Sequence, residues 1–315
     1  MCLVALALDI DRRFPLVLAA NRDEYFDRPA ARLAWWTPPD GTHPVLSGRD
    51  LGSGGTWMGL TAAGRMAFVT NVRDPSRVDA EAPSRGSIVL DWLAAREAPD
   101  RFWMRTALTG YNGFNLIAAD FRRGECFWAS NRAIHPQRLE RGLYGLSNAL
   151  LDTPWPKVEV LKQAVREAVA TSRSVDALSV ALFAALADRT PADDAALPET
   201  GIASAWEKTL SAAFIRTPDG RYGTRCSTLV IVERTSRGPV THVLERTFAA
   251  TEGLALLRRS LLKNWPPRYD ADPASEEQAP ATPEPVHEVD LSADAAHPPV
   301  RRTRVRSLLK PSGKR

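Results

Sequence analysis

LVLAANRDEYFDRPA, residues 16–30, carries an apolar strand pattern straight into four polar residues, Asn21-Arg22-Asp23-Glu24. Upstream, the chain begins Met1-Cys2, and a second apolar run over residues 3–9 precedes Asp11-Arg12-Arg13. Residues 3–9 and 14–20 read as two strands, and pairing them returns Arg22 and Asp23 to the chain's beginning. If Met1 is removed, Cys2 carries a thiol and a free α-amine on one residue. An α-amine with an ordinary pKa of about 7.7–8.0 is a base matched to neutral pH, and a thiol needs such a base to attack. Arg22 is then placed to hold the thiolate or a substrate oxygen, and Asp23 to orient the amine. A cysteine by itself is more often a small buried apolar residue. The polar run beside it favours the chemical reading.

At 315 residues the chain is long enough for one large domain with a tail, or for two domains. Its 44% hydrophobic and 25% charged content is that of a globular protein. No stretch approaches the roughly 20 apolar residues of a membrane span, and no secretory pattern opens the chain. A cytoplasmic protein is expected. Cys2, Cys126 and Cys226 form neither a disulfide framework nor a CxxC pair, and the histidines show no ligand spacing. No metal site and no cofactor are therefore expected. The net charge of +4 comes without an arginine-rich helix or an aromatic-interleaved basic patch, which argues against nucleic acid as a partner.

Composition changes near residue 266, where prolines fall among Ala, Glu and Asp without apolar periodicity. Residues 1–265 read as the folded domain. Residues 266–315 read as a disordered tail ending in a basic segment whose partner the sequence does not name. In the body, hairpins are expected at 57–70 around Gly64, at 114–129 and at 228–247 with a turn over 233–239. Residues 143–147 read as a short strand. Helices are expected at 87–96, after a Thr153 cap with Pro154 or Pro156 in the first turn, and at 174–187. Strand groups around a central helical block give an α+β layered fold with antiparallel sheets covered by helices.

Polar residues stand at strand ends. Asn71 and Asn148 each close an apolar run, where their amides can donate to an oxyanion without ionising; an asparagine there also makes an ordinary turn. Arg225, just before residues 228–232, can hold a carboxylate or phosphate, or an ion pair at a strand edge. Trp57 follows the glycine-rich 52–55 and offers a pocket or core aromatic.

Six segments together are recognisable: MCLVALALD at 1–9, LVLAANRDEYFDRPA at 16–30, GGTWMGL at 54–60, YNGFNLIAAD at 111–120, YGLSNALLDTPWPK at 144–157 and YGTRCSTLVIV at 222–232. In this order they resemble the Asn-Arg-Asp-Glu (NRDE) family, whose animal members are called transport and Golgi organisation protein two. That family in turn resembles the cysteine N-terminal-nucleophile hydrolases. The resemblance implies a four-layer αββα sandwich in which Cys2 attacks an amide carbonyl with its own α-amine as base. It also implies Asp23 at the amine, Arg22 or Asn21 at the arginine position, Asn71 and Asn148 at the oxyanion, and a late arginine at Arg225. Asn21 and Trp57 are candidates to contact substrate. The hydrolases space arginine and aspartate further apart than the adjacent Arg22-Asp23. The implied function is hydrolysis of a C–N amide bond in a small or acylated substrate through a Cys2 thioester. The alternative is a non-catalytic carrier of an amphipathic ligand (acyl-CoA, lipid or haem) on the same scaffold.

Overall fold

The computed structural model describes residues 2–39, 41, 43–249, 255–267 and 285–290. Two antiparallel sheets of seven strands each dominate it. The first contains β1 (Cys2–Leu8), β2 (Leu16–Tyr25), β10 (Gly142–Leu146), β11 (Tyr222–Thr235), β12 (Gly238–Phe248), β13 (Ala255–Lys263) and β14 (His287–Asp290), in the order β10-β1-β2-β11-β12-β13-β14. The second runs in chain order through β3 (Ala30–Trp36), β4 (Val45–Asp50), β5 (Met58–Thr61), β6 (Arg65–Asn71), β7 (Phe114–Asp120), β8 (Glu125–Ser130) and β9 (Gln137–Arg138). Helices α1 (Gly86–Ala94) and α2 (Pro99–Ala107) lie against the second sheet, and α3 (Pro156–Thr171) and α4 (Val175–Leu186) against the first; α5 (Ser204–Thr209) is a single short turn of helix.

Alternation along each strand builds the layers. On β1 and β2 the even residues Val4, Leu6, Leu16 and Leu18 meet Met58, Leu60, Phe68 and Ile117 of the opposite sheet in the central core. The odd residues Leu3, Ala5, Val17 and Ala19 pack beneath Val158, Leu161, Leu178 and Leu182 of α3 and α4. On the far side Ala67, Leu116 and Ala118 meet Ile88, Trp92 and Phe102 of α1 and α2. The result is the expected αββα sandwich. Strands buried on both faces must be apolar at nearly every position, which is why residues 3–8 show no alternation.

The hairpin turn at Gly64 forms with φ +99°. The closing hairpin is longer than expected: β11 and β12 pair from Thr235 and Gly238 outward, so the turn shrinks to the two residues between them. Helix α3 starts at Pro156 with Trp155 at the cap position, and Thr153 bonds the Leu150 carbonyl instead of capping. The expectation of a disordered tail from residue 266 onward is corrected at one place, where pairing with an open sheet edge orders a short segment. Residues 287–290 pair with β13 as an edge strand, held by Glu288 against Arg258 at 2.8 Å and Arg32 at 3.0 Å. Residues 268–284 and 291–315 lie outside the described residues. No helix among the described residues is long and apolar enough to cross a membrane.

Candidate active site

Strand register assembles the site. Cys2 sits opposite Arg22, and Arg22 opposite Cys226 on the other flank, so the three share one face of the β1-β2-β11 ribbon. Their parity is that of Val4 and Leu18, and that face looks toward the second sheet. Asp23 has the opposite parity. It pairs with Thr224, and the register shift between Thr224 and Cys226 leaves Arg225 as the extra residue of a bulge. That insertion turns Thr224 to the helix-facing side with Asp23.

On the inter-sheet side the Arg22 guanidinium lies 4.4 Å over the Trp57 ring. Its Nη2 stands 3.3 Å from Asp50 Oδ2 and 3.6 Å from Glu24 Oε2. Its Nη1 is buried and has no hydrogen-bond partner among the described residues. Trp57 reaches this position by crossing Gly48, where an added Cβ would stand 2.2 Å from the ring. A cavity of about 10 Å³, room for one water, is lined by Cys2, Arg22, Trp57, Phe68, Val69 and Thr228. Burial pushes the Cys2 thiol above its ordinary range, and the terminal ammonium of the chain pulls it back part of the way. A thiol held protonated needs a base when it attacks.

On the helix side Asp23 is 1% exposed, and its Oδ1 accepts from Thr224 Oγ1 at 2.7 Å. Burial raises its pKa, opposed by the terminal ammonium, by Lys157, by the Thr224 hydrogen bond and by Arg22. Lys157 belongs to the first turn of α3, is 4% exposed, and donates from Nζ to the Leu210 carbonyl at 2.8 Å. Burial pushes it down to about 8, while Asp23 holds it up and Arg73 lowers it further. Arg73 is ion-paired with Glu207 of α5, and both are almost wholly buried. The Arg73 guanidinium also lies 4.9 Å over the Trp155 ring.

The end of β10 closes the site from the other edge of β1. Val4 pairs with Leu146, and the same register carries Ser147 and Asn148 alongside Leu3 and Cys2. Ser147 Oγ lies 3.1 Å from the Cys2 carbonyl and 3.2 Å from Asn148 Oδ1. Asn148, fully buried, donates from Nδ2 to the Asn71 carbonyl at 3.0 Å, and its own carbonyl accepts from Arg73 N at 2.7 Å. These bonds tie the second sheet to the first beside Cys2, and they occupy one of the two Asn148 amide hydrogens.

The structure brings Cys2, Arg22, Asn148 and Trp57 close together, with Asp23 adjoining them on the opposite face of β2. Three others do not reach the site in the expected way. Asn21 faces the helices: its Nδ2 donates to the Leu186 and Ala213 carbonyls at 2.8 and 2.9 Å, and its Oδ1 accepts from Ser227 at 2.6 Å. With its amide engaged, the Asn21 side chain is a strut between sheet and helices, while the residue still borders the cavity beside Cys2. Arg225 lies over Phe26 at 5.4 Å and donates to the carbonyls of Tyr25 and Arg28, the latter at 3.0 Å. It braces the end of β2. Asn71 is on the face of β6 opposite Phe68 and Thr70, and its contribution is the backbone carbonyl that holds Asn148. Lys157, Ser147 and the Arg73–Glu207 pair were missed. A lysine in a helix's first turn opposes the helix dipole, and this is the one local signal that marks Lys157 as unusual.

Among the described residues, no three His, Cys, Asp or Glu side chains gather where a metal could be held. A family model described as Transport and Golgi organisation 2 matches residues 1–250. The Transport and Golgi organization protein 2 homolog of Bos taurus is 36% identical over 255 residues, spanning 74% of this chain and 89% of the relative. The Homo sapiens homolog is 33% identical over 253 residues, with the same coverage of 74% and 89%. Among solved structures, the C2A mutant of conjugated bile acid hydrolase from Clostridium perfringens is similar over 75% of this chain and 90% of that one, at 10% identity and a TM-score of 0.39.

Proposed function

We propose that this chain, which belongs to the Transport and Golgi organisation 2 family, is an amidohydrolase whose nucleophile is Cys2 as an N-terminal residue. One observation carries the reading: Cys2 is held beside Arg22 and Asp23 on two faces of one ribbon, with an anion at its nitrogen end and a spare cationic donor at its sulfur end. Once the residue ahead of it is removed, the α-amine takes the thiol proton as Sγ attacks a carbonyl carbon. The Arg22 Nη1 hydrogen and the second Asn148 amide hydrogen face the oxyanion. The tetrahedral intermediate collapses, the C–N bond breaks, and the ammonium returns the proton to the departing amine. Water then attacks the thioester, giving up a proton to the α-amine, and the thiol is regenerated as the acid leaves. Asp23 holds the transient ammonium. The carrier alternative draws less support, because a passive ligand holder gives no purpose to an unspent Arg22 donor and a buried Asp23 gathered at Cys2.

Intact-mass measurement comes first, since a retained Met1 blocks the amine. The mature protein is then incubated with a panel of N-acyl amides, and a covalent acyl adduct is expected on wild type and absent from Cys2→Ala. Thiol labelling at pH 8 should be fastest at Cys2, which is partly exposed, whereas Cys126 and Cys226 are buried. Neither adduct nor turnover across the panel, with Cys2 also unlabelled, defeats the amidase reading.

A further inference from the structure

The pairing of β10 with β1 ends at Leu146, yet Ser147 and Asn148 stay buried. Carbonyls that have left a ladder need other donors, and here the second sheet supplies them. The Asn148 carbonyl accepts from Arg73 N at 2.7 Å, and the Ala149 carbonyl accepts from Asn115 Nδ2 at 2.8 Å. Asn115 belongs to β7, within the YNGFNLIAAD stretch, and is fully buried. It pairs with Thr70 and has the parity of Ile117, so it faces the first sheet.

The Asn115 amide is spent completely. Besides Ala149, Nδ2 donates to the Thr70 hydroxyl at 3.2 Å, and Oδ1 accepts from Trp128 Nε1 at 3.2 Å. An indole N–H can only donate, so Oδ1 must turn to it and both amide hydrogens must turn away. Asn148 is gripped with the same directionality. Its Nδ2 donates to the Asn71 carbonyl at 3.0 Å, and its Oδ1 accepts from Ser147 Oγ at 3.2 Å. Leu146 faces the central core, so Asn148, two residues on, looks to the same side as Cys2. Two consecutive carbonyls fastened to one sheet leave the Asn148 Cα little freedom to swing. We infer that Asn115 is a positioning residue: by holding the Ala149 carbonyl, it aims the remaining Asn148 amide hydrogen at the oxyanion formed on Cys2. The purpose of this clasp rests on the amidohydrolase reading, though its measurement does not. A donor lowers the barrier only when it is placed beforehand.

The test follows side-chain amide hydrogen exchange by NMR in the full chain carrying ¹⁵N-asparagine. Asn115→Leu keeps a similar volume and removes both donors. Exchange at Asn148 should quicken by about tenfold relative to Asn21, the worth of one hydrogen bond. Asn21 is the internal reference, because its amide is fixed on the Leu186 and Ala213 carbonyls across the first sheet. A general loss of stability would quicken both alike, and that result in a folded variant overturns the inference. Should the variant not fold, wild type decides: Asn115 and Asn148 should exchange at one common rate. Asn148 exchanging about tenfold faster than Asn115 overturns the inference, since its amide would then move with the clasp closed. Where a cleaved substrate has been found, Asn115→Leu should lower kcat by up to about a hundredfold with KM nearly unchanged. A rise in KM at constant kcat overturns the positioning role. Exchange in the expected order with no substrate cleaved would leave the clasp standing and remove the amidase reading.

Discussion

Arg22 and Asp23 are neighbours in the chain, yet the two faces of β2 give them different chemistry. Toward the second sheet, Arg22 stacks on an aromatic ring beside a water-sized cavity, with Asp50 and Glu24 at its edge and one donor unspent. Toward the helices, Asp23 is buried, accepts from Thr224, and lies in the field of the chain's terminal ammonium and of Lys157. The first face sets an unspent donor beside a water-sized cavity. The second stores balanced charge at low dielectric, where each partner depends on the others. A strand that alternates at every residue can therefore serve substrate on one side and proton bookkeeping on the other.

The largest expected effect follows from unbalancing the helix side. Asp23→Leu removes a buried carboxylate and leaves the buried Thr224 hydroxyl without its acceptor, and should cost about 3 kcal/mol in urea unfolding. Arg22→Met on the other face should cost far less, because Asp50 keeps Arg28 at 2.7 Å. Equal losses from the two would show the faces to be energetically alike. Next, Gly48→Ala forces the Trp57 ring off its seat, a strain of about 1–3 kcal/mol. It should also change the rate of Cys2 labelling, whereas labelling that stays at the wild-type rate would show that the Trp57–Arg22 stack does not shape the pocket.

Per pH unit, the smallest effect is a slope. Lys157 loses its proton near pH 8 when folded, against 10.5 as its ordinary value. Between these the unfolded chain holds more protons, so stability should rise with pH by up to about 1.4 kcal/mol per unit, and flatten once both states are neutral. Below pH 8 the cost of burying the charge is fully present. Asp23, raised by burial, acts in a separate acid window with the opposite slope. Lys157→Met should abolish the alkaline rise while leaving the acid limb, and urea unfolding at pH 7, 8, 9 and 10 reads the difference.

Much of the framework was legible locally. The runs at 3–8, 16–20, 66–70 and 114–120 are apolar at nearly every position because their strands are covered on both sides. The Val158, Leu161, Val165 spacing marks α3 for a similar reason. β13 was not legible, since ALLRRSLLK fits a helix as well as a strand, and only pairing with β12 decides it.

By itself, then, the sequence determined which residues could carry the chemistry and that two apolar strands would bring them to the chain's start, because covalent order and hydrophobic period are local properties. Tertiary structure decided which way each side chain faces and what it meets. One bulge at Arg225 sets Thr224 beside Asp23, a helix over a hundred residues downstream delivers Lys157, and Asn21 spends its amide on distant carbonyls. Those outcomes depend on register and on contacts between segments far apart in the chain, and no local pattern encodes either.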